Sequence, residues 1–337
     1  MRLLLLGGTG FVGRHITDAA LDAGHDVTLF NRGRTNAGGF PDAARLVGDR
    51  ESGDLTALAG GEWDAVVDVN AYTPRRVREA IAALDGRVGH YTFVSTVSVY
   101  VHGPSTGVPD DESAPLERLE DPTSEEVTNA SYGALKVLCE EEVQAAFPDA
   151  STIVRPGMVA GPHDPTDRFT WWVRRAARGG EMLVPDRPDQ PVQVVHARDQ
   201  ADFVVAATVS GRCGDFNSVG PSSPLTLRGL VEACAAAAQS NVEPVWVDEA
   251  FVAEHDIPFP LYLPSDAAID NIFEAWSAAV AAGLLVNRSI VDTAADTLAW
   301  DRTRPDQSAM GPGTLSPERE SELLEAWRSR AQAVGPT

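Results

Sequence analysis

The N-terminal half of the chain alternates short apolar runs with stretches of helical periodicity. Arg2–Leu6 holds four consecutive leucines closed by glycines, the pattern of a strand buried on both faces of a parallel sheet. Phe11–Ala23 carries apolar residues at helical spacing and ends at Gly24. The same reading predicts strands at Asp26–Phe30, Arg45–Val47, Ala65–Val69, His90–Ser95 and Ser151–Arg155. It predicts helices over Pro74–Leu84 and Ala130–Ala146, with a polar, proline-bearing stretch at Gly103–Glu126. Strands alternating with helices predict an α/β fold built on a doubly wound parallel sheet.

The second half is less regular. A helix is expected at Thr166–Ala177, a strand at Val192–Val195 leading into a helix at Asp199–Val209, a strand at Asp215–Ser218 and a helix at Leu225–Ala238. Ile257–Pro264, with three prolines, reads as loop. A last helix starts at Pro317, capped by Ser316, with Glu318 and Glu320 at the positive end of its dipole. The organisation expected is a sheet domain over residues 1–162, to which the chain returns at about 192–220, and a smaller substrate-binding lobe made mainly from residues 163–337.

Composition narrows the function. The chain has 337 residues, enough for a large core, and a formal net charge of −22. That charge excludes nucleic acid as an expected partner, because a polyanion needs a basic surface to displace its counterions. It weighs equally against anionic membrane surfaces. The leucine run after Met1 is too short for a signal core or a membrane span. Cys139, Cys213 and Cys234 lie far apart, with neither disulfide-framework count nor metal-ligand spacing. A cytoplasmic protein without a metal centre is expected, acting on a small molecule; a homodimer stays open.

Gly7-Gly8-Thr9-Gly10-Phe11-Val12-Gly13 joins the first strand to the first helix. Glycines at 7, 10 and 13 permit a tight turn, close backbone approach to a pyrophosphate and close helix–sheet packing, and the helix start offers free N–H donors. Gly7, Thr9, Gly10, Phe11, Val12 and Gly13 are therefore candidate dinucleotide ligands in a Rossmann arrangement. An acid at the end of the second strand would hold a ribose 2′-hydroxyl, whereas an arginine accommodates a 2′-phosphate. Asn31-Arg32-Gly33-Arg34 stands there, which points to NADP with NAD as the alternative. Asp49 either accepts from the adenine amine or is a solvated loop carboxylate.

Ser131-Tyr132-Gly133-Ala134-Leu135-Lys136 puts Tyr132 and Lys136 one turn apart on one helix face. A nearby ammonium favours the phenolate of a tyrosine that otherwise titrates near 10, and the same ammonium can reach a nicotinamide ribose hydroxyl. Lys136 is the only lysine beside 26 arginines.

On these residues the chain resembles the extended branch of the short-chain dehydrogenase/reductases, the NAD-dependent epimerase/dehydratase family. The resemblance rests on Gly7–Gly13, Phe93-Val94-Ser95-Thr96-Val97-Ser98-Val99-Tyr100 and Tyr132-x-x-x-Lys136. Arg155-Pro156-Gly157 with Gly161-Pro162, Arg198-Asp199, Phe216-Asn217 and Gly220-Pro221 also match. It implies Tyr132 as acid/base, Lys136 as its pKa modulator and ribose ligand, and Thr96 as the hydroxyl that polarises the reacting oxygen, with Ser98 nearby for substrate. Where sugar-nucleotide dehydratases of this branch carry an Asp-Glu pair after that threonine, this chain has Val97-Ser98. Where nucleotide-sugar enzymes place a clamping arginine, it has Pro191-Val192-Gln193-Val194-Val195-His196.

His163, Asp164 and Arg168 follow Gly161-Pro162, where they either contact substrate or form a turn and helix cap. His196 and Cys139 read as packed side chains, and Trp171 and Trp172 as lobe packing. The expected activity is reversible hydride transfer between NADP(H) or NAD(H) and a secondary alcohol or ketone. The rivals are an epimerase of a sugar or sugar nucleotide and, from another class, a non-catalytic dinucleotide sensor or RNA-associated scaffold.

Overall fold

The computed structural model describes residues 1–102, 111–267, 273, 275–305, 310, 311 and 313–333. In chain order the elements are β1 (Arg2–Leu6), α1 (Phe11–Asp22), β2 (Asp26–Asn31), β3 (Ala44–Val47), β4 (Ala65–Asp68), α2 (Pro74–Ala83), β5 (Tyr91–Val94), α3 (Tyr132–Ala146) and β6 (Ser151–Pro156). There follow β7 (Val159–Ala160), α4 (Thr170–Ala177), β8 (Gly180–Pro185), β9 (Val195–His196), α5 (Ala197–Val209), β10 (Gly214–Ser218) and α6 (Leu227–Ala238). The last are β11 (Val242–Val247), α7 (Glu249–Glu254), α8 (Ala278–Ala281), α9 (Ile290–Asp301) and α10 (Pro317–Ala333). No helix among the described residues is long and apolar enough to cross a membrane.

Seven strands form one parallel sheet in the order β10-β6-β5-β4-β1-β2-β3, the doubly wound α/β arrangement expected. The alternation of a strand's side chains explains why β1 reads as a solid apolar run. Leu3 and Leu5 enter one core layer with Ile16 of α1 and Val204 of α5, while Leu4 and Leu6 enter the opposite layer with Val77 of α2 and Val143 of α3. Every strand and helix predicted before residue 157 is present, with ends shifted by one or two residues. Of the predicted polar stretch, residues 103–110 lie outside the described residues.

The chain divides into two compact units. The first comprises Met1–Val159, Val194–Ser222 and Ala268–Asn287 and contains the seven-stranded sheet. The second comprises Ala160–Gln193, Ser223–Ala267 and Arg288–Thr337. In it β8 pairs in parallel with β11, α4 packs on α6 and α9, and the Trp171 and Trp172 indoles donate to the carbonyls of Leu315 and Pro260.

Two predicted elements of the later chain need correction. The helix begins at Thr170 rather than Thr166, because Asp167 sits at φ 56° with its carboxylate taken by Arg304 and by the amide of Gly311. The strand at Val192–Val195 shrinks to Val195–His196, since Val192 instead donates to the carbonyl of Leu225. β8 and β11 were not anticipated: Pro244 sits inside β11, a placement tolerated because each strand of a two-stranded sheet has an open edge. Nor was α9, although Ser289 caps it and Asp292 stands three residues on.

Candidate active site

The glycine loop is shaped by contact on one side and open on the other. A Cβ at Gly13 would lie 2.8 Å from the amide nitrogen of Gly8, so only glycine lets α1 approach the loop this closely. A Cβ at Gly10 would meet nothing within 4 Å. Gly10 is the N-cap of α1 and no side chain caps the helix, so its first-turn amides face that open ground. Thr9 is buried, Phe11 packs edge-on against His15, and Val12 leans on the core. The loop also abuts the residues after β4, since a Cβ at Gly7 would come within 2.7 Å of Val69.

Asn31 ends β2 by fixing the next turn. Its side-chain amide donates to the Gly7 carbonyl at 3.3 Å and its oxygen accepts from the Gly33 amide at 2.8 Å, leaving Arg32 exposed between them. The Gly48 amide donates to the Asn31 carbonyl at 3.2 Å, which brings the Asp49 segment alongside. Asp49 exchanges backbone hydrogen bonds with Asp54, and one of its carboxylate oxygens accepts from the Glu51 amide at 3.0 Å. Next to it Arg50 is buried and makes a two-pronged ion pair with Asp68 at 2.6 and 2.8 Å, which ties this segment to the end of β4.

Lys136 is buried, only 3% exposed. Its Nζ donates to the carbonyl of Val94 at 2.8 Å, at the end of β5, and to the carbonyl of Ala71 at 3.0 Å, beyond β4. The Phe93 ring lies 4.1 Å from Nζ and the Tyr72 ring 5.8 Å. Burial pushes its pKa down to about 8, against the attraction of Asp68 and Glu140. Tyr132 opens the same helix, partly exposed, its ring 6.2 Å from that of Tyr72.

Thr96 caps a single 3-10 turn, Val97–Val99, by accepting from the Ser98 amide at 3.1 Å, and its hydroxyl lies 3.2 Å from that of Ser98. That turn rests directly on the start of α3. A Cβ at Gly133 would stand 1.9 Å from the Ser98 carbonyl oxygen, so the glycine after Tyr132 is what lets helix and turn meet. The structure thus brings together Thr96, Ser98, Tyr132 and Lys136 in the first unit, with the glycine loop a few residues from the carbonyl that holds Lys136. Sequence reasoning missed Gly133 and Tyr72. The signal for the first was a glycine in the opening turn of a helix, where it costs stability unless something demands it.

The profile of the NAD dependent epimerase/dehydratase family matches residues 3–219. The chain belongs to that family. Among proteins similar to it, a chloroplast stem-loop binding protein of 41 kDa from Arabidopsis thaliana is 26% identical over 70% of this chain, and the match spans 63% of that relative's length. A 2′-dehydrokanamycin reductase from Streptomyces kanamyceticus is 27% identical over 81% of this chain and 77% of its own. The Thermus thermophilus UDP-glucose 4-epimerase, solved in complex with NAD, shares the fold with a TM-score of 0.63 at 19% identity, over 90% of this chain and 99% of that one.

Behind the Thr96 turn this family member carries an ionic network. Arg155 of β6, 1% exposed, donates to Glu140 of α3 at 2.7 Å, to Asp215 of β10 at 2.9 Å and to the Tyr100 hydroxyl at 3.1 Å. Tyr100 in turn donates to Asn217 at 2.7 Å, and burial pushes its pKa up to about 12. Cys139 is buried, its thiol pushed up to about 12 by that burial. His196 caps α5, its Nδ1 accepting from the Arg198 amide at 3.1 Å.

His163 and Arg168 belong to the second unit. His163 takes a left-handed backbone at φ 71°, its ring 5.3 Å from that of Trp300. Asp164 is buried; one oxygen accepts from the amide and hydroxyl of Thr166, the other has no hydrogen-bond partner among the described residues, and burial raises its pKa. Arg168 is exposed, with its Nε 3.2 Å from the Thr166 hydroxyl. Other arginines of this unit are committed to carboxylates: Arg174 to Asp301, Arg175 to Glu320, Arg304 to Asp167.

Proposed function

We propose that this chain is an oxidoreductase working with NADP(H), NAD(H) being the weaker cofactor, on a secondary alcohol or ketone of a small uncharged or weakly charged molecule. The observation that carries the reading is Lys136. Two of its three protons go to backbone carbonyls and none to a carboxylate among the described residues, so its charge is free to act on groups beside it. Tyr132, four residues earlier on the same face, is the acid/base: it gives its proton to the carbonyl oxygen in reduction and recovers it in oxidation. Lys136 favours the phenolate and offers its third proton to a ribose hydroxyl. The Thr96 hydroxyl donates to the reacting oxygen, with Ser98 beside it for substrate.

The glycine loop fits a dinucleotide, because the space over Gly10 and the uncapped amides of α1 suit a pyrophosphate. Gly7, Thr9, Gly10, Phe11, Val12 and Gly13 would cradle it, with Asn31, Arg32 and Asp49 toward the adenosine end. The bound nicotinamide supplies or takes up the hydride. Exposed Arg32, in a turn without an acid, supports NADP over NAD.

The substrate class follows from charge. A nucleotide diphosphate must exchange its water for cations, and arginine does this best. In the second unit Arg174, Arg175 and Arg304 serve carboxylates, and exposed Arg168, with His163, is the substrate candidate kept there. A free sugar, polyol or natural-product ketone fits, and the similarity to a dehydrokanamycin reductase is in keeping with it. The stem-loop binding relative brings an RNA reading, against which the net charge of −22 weighs.

The test is calorimetric titration of the NADP-loaded protein with UDP-, GDP- and dTDP-sugars, beside NADPH consumption with a panel of small ketones. Turnover of a ketone, abolished in Tyr132→Phe, is expected without sugar-nucleotide binding. Specific micromolar binding of any sugar nucleotide would overturn the substrate class and put an epimerase first.

A further inference from the structure

We propose that Tyr72 is a positioning residue for the catalytic pair: its ring covers the Lys136 ammonium against water and braces the ring of Tyr132. The inference rests on the reading of Tyr132 and Lys136 given above. Tyr72 lies in the segment between β4 and α2, directly after Ala71, whose carbonyl accepts from Lys136 at 3.0 Å. Its ring is 5.8 Å from Nζ and 6.2 Å from the ring of Tyr132, so one side chain adjoins both members of the pair. Tyr72 is itself 40% exposed while Lys136 is 3% exposed, which places the aromatic ring on the solvent side of a buried charge.

At 5.8 Å the ring is at the limit of useful cation–π attraction, and Phe93 at 4.1 Å holds the nearer face. What Tyr72 adds is exclusion of water. The charged groups acting on Lys136 are Asp68 from β4, Arg50 from the segment after β3 and Glu140 from α3 itself, with the neutral Cys139 thiol beside them. None of them belongs to the loop that carries Tyr72, so trimming that side chain changes hydration and leaves these partners in place. A dry ammonium acts on the neighbouring phenol through a low dielectric, whereas a hydrated one is screened. The hydroxyl of Tyr72 plays no part in this, so phenylalanine should replace it.

The single lysine makes the test direct. Full-length protein labelled with 13C-lysine has one lysine side chain, so one Cε signal reports the titration of Lys136. Water admitted in Tyr72→Ala stabilises the charged form, and its midpoint is expected to rise by about one pH unit over wild type, with Tyr72→Phe titrating as wild type. The basic limb of alcohol oxidation should move to higher pH in Tyr72→Ala alone. An unshifted midpoint in Tyr72→Ala, or an equal shift in Tyr72→Phe, overturns the proposal. Normal turnover of a Tyr132→Phe enzyme would instead overturn the underlying reading, whatever the lysine signal does. Because Tyr72 is half in solvent, thermal melts of the variants should match wild type, and Tyr72→Leu serves in place of alanine if they do not.

Discussion

Two buried cations meet the same helix and are treated in opposite ways. Arg155 is wrapped by Glu140 and Asp215, and the Tyr100 hydroxyl completes its shell. Its pKa is raised, the carboxylates outweighing burial, so it stays charged under any condition in which the protein folds. Lys136, one turn before Glu140 on α3, hydrogen-bonds among the described residues to carbonyl oxygens alone, and burial brings its pKa to about 8. A cation answered by carboxylates is spent on holding β6, α3 and β10 together. A cation answered by dipoles keeps its charge for something else, at a cost in stability. On the function proposed above, the difference separates scaffold from chemistry within a few residues of helix.

That contrast can be broken from the scaffold side first. Arg155→Met leaves Glu140 buried without its partner and should cost about 3–5 kcal/mol in denaturant unfolding, where the matched Arg155→Met/Glu140→Leu double variant should recover most of the loss. Equal stability of Arg155→Met and wild type would mean that the network does not brace the sheet.

The chemical side has a pH signature. Lys136 falls from an ordinary 10.5 to about 8 on folding, so between those values the native state binds fewer protons than the unfolded chain. Stability should therefore rise with pH across that window, by about 3 kcal/mol, with the penalty fully present below it. Lys136→Met should flatten that rise relative to wild type in unfolding curves taken from pH 7 to 10.5. A wild-type curve already flat there would place the ammonium in water.

A smaller effect sharpens the cofactor assignment. Arg32 is exposed in the turn that Asn31 fixes. Arg32→Ala should leave the melting temperature unchanged and narrow the preference for NADPH over NADH by about 1–3 kcal/mol in fluorescence titrations. A wild-type preference for NADH would remove the reason for singling it out.

How much of this was legible in the sequence follows the range of the interactions. Parallel strands buried on both faces leave continuous apolar runs, and Tyr132 and Lys136 stand at a fixed helical spacing, so the first unit's sheet and the catalytic candidates could be read locally. Gly133 and Tyr72 could not, since their meaning lies in what is opposite them: the Ser98 carbonyl for one, Lys136 for the other. The second unit is held by distant pairs such as Arg175 with Glu320 and β8 with β11, which leave no periodic trace. Glu320 shows the limit plainly. It sits in the first turn of α10, where dipole stabilisation explains an acid, yet it is buried and accepts from Arg175 and from the Leu183 amide.

On the proposed function Lys136 serves the cofactor as well as the phenol, while Tyr132 serves only the transferred proton. Calorimetric titration of NADPH into wild type, Tyr132→Phe and Lys136→Met tests it without knowledge of the substrate. Tyr132→Phe should bind as wild type does, and Lys136→Met should bind roughly tenfold to a hundredfold more weakly, the loss of one hydrogen bond from a charged group. Wild-type affinity in Lys136→Met would contradict the account.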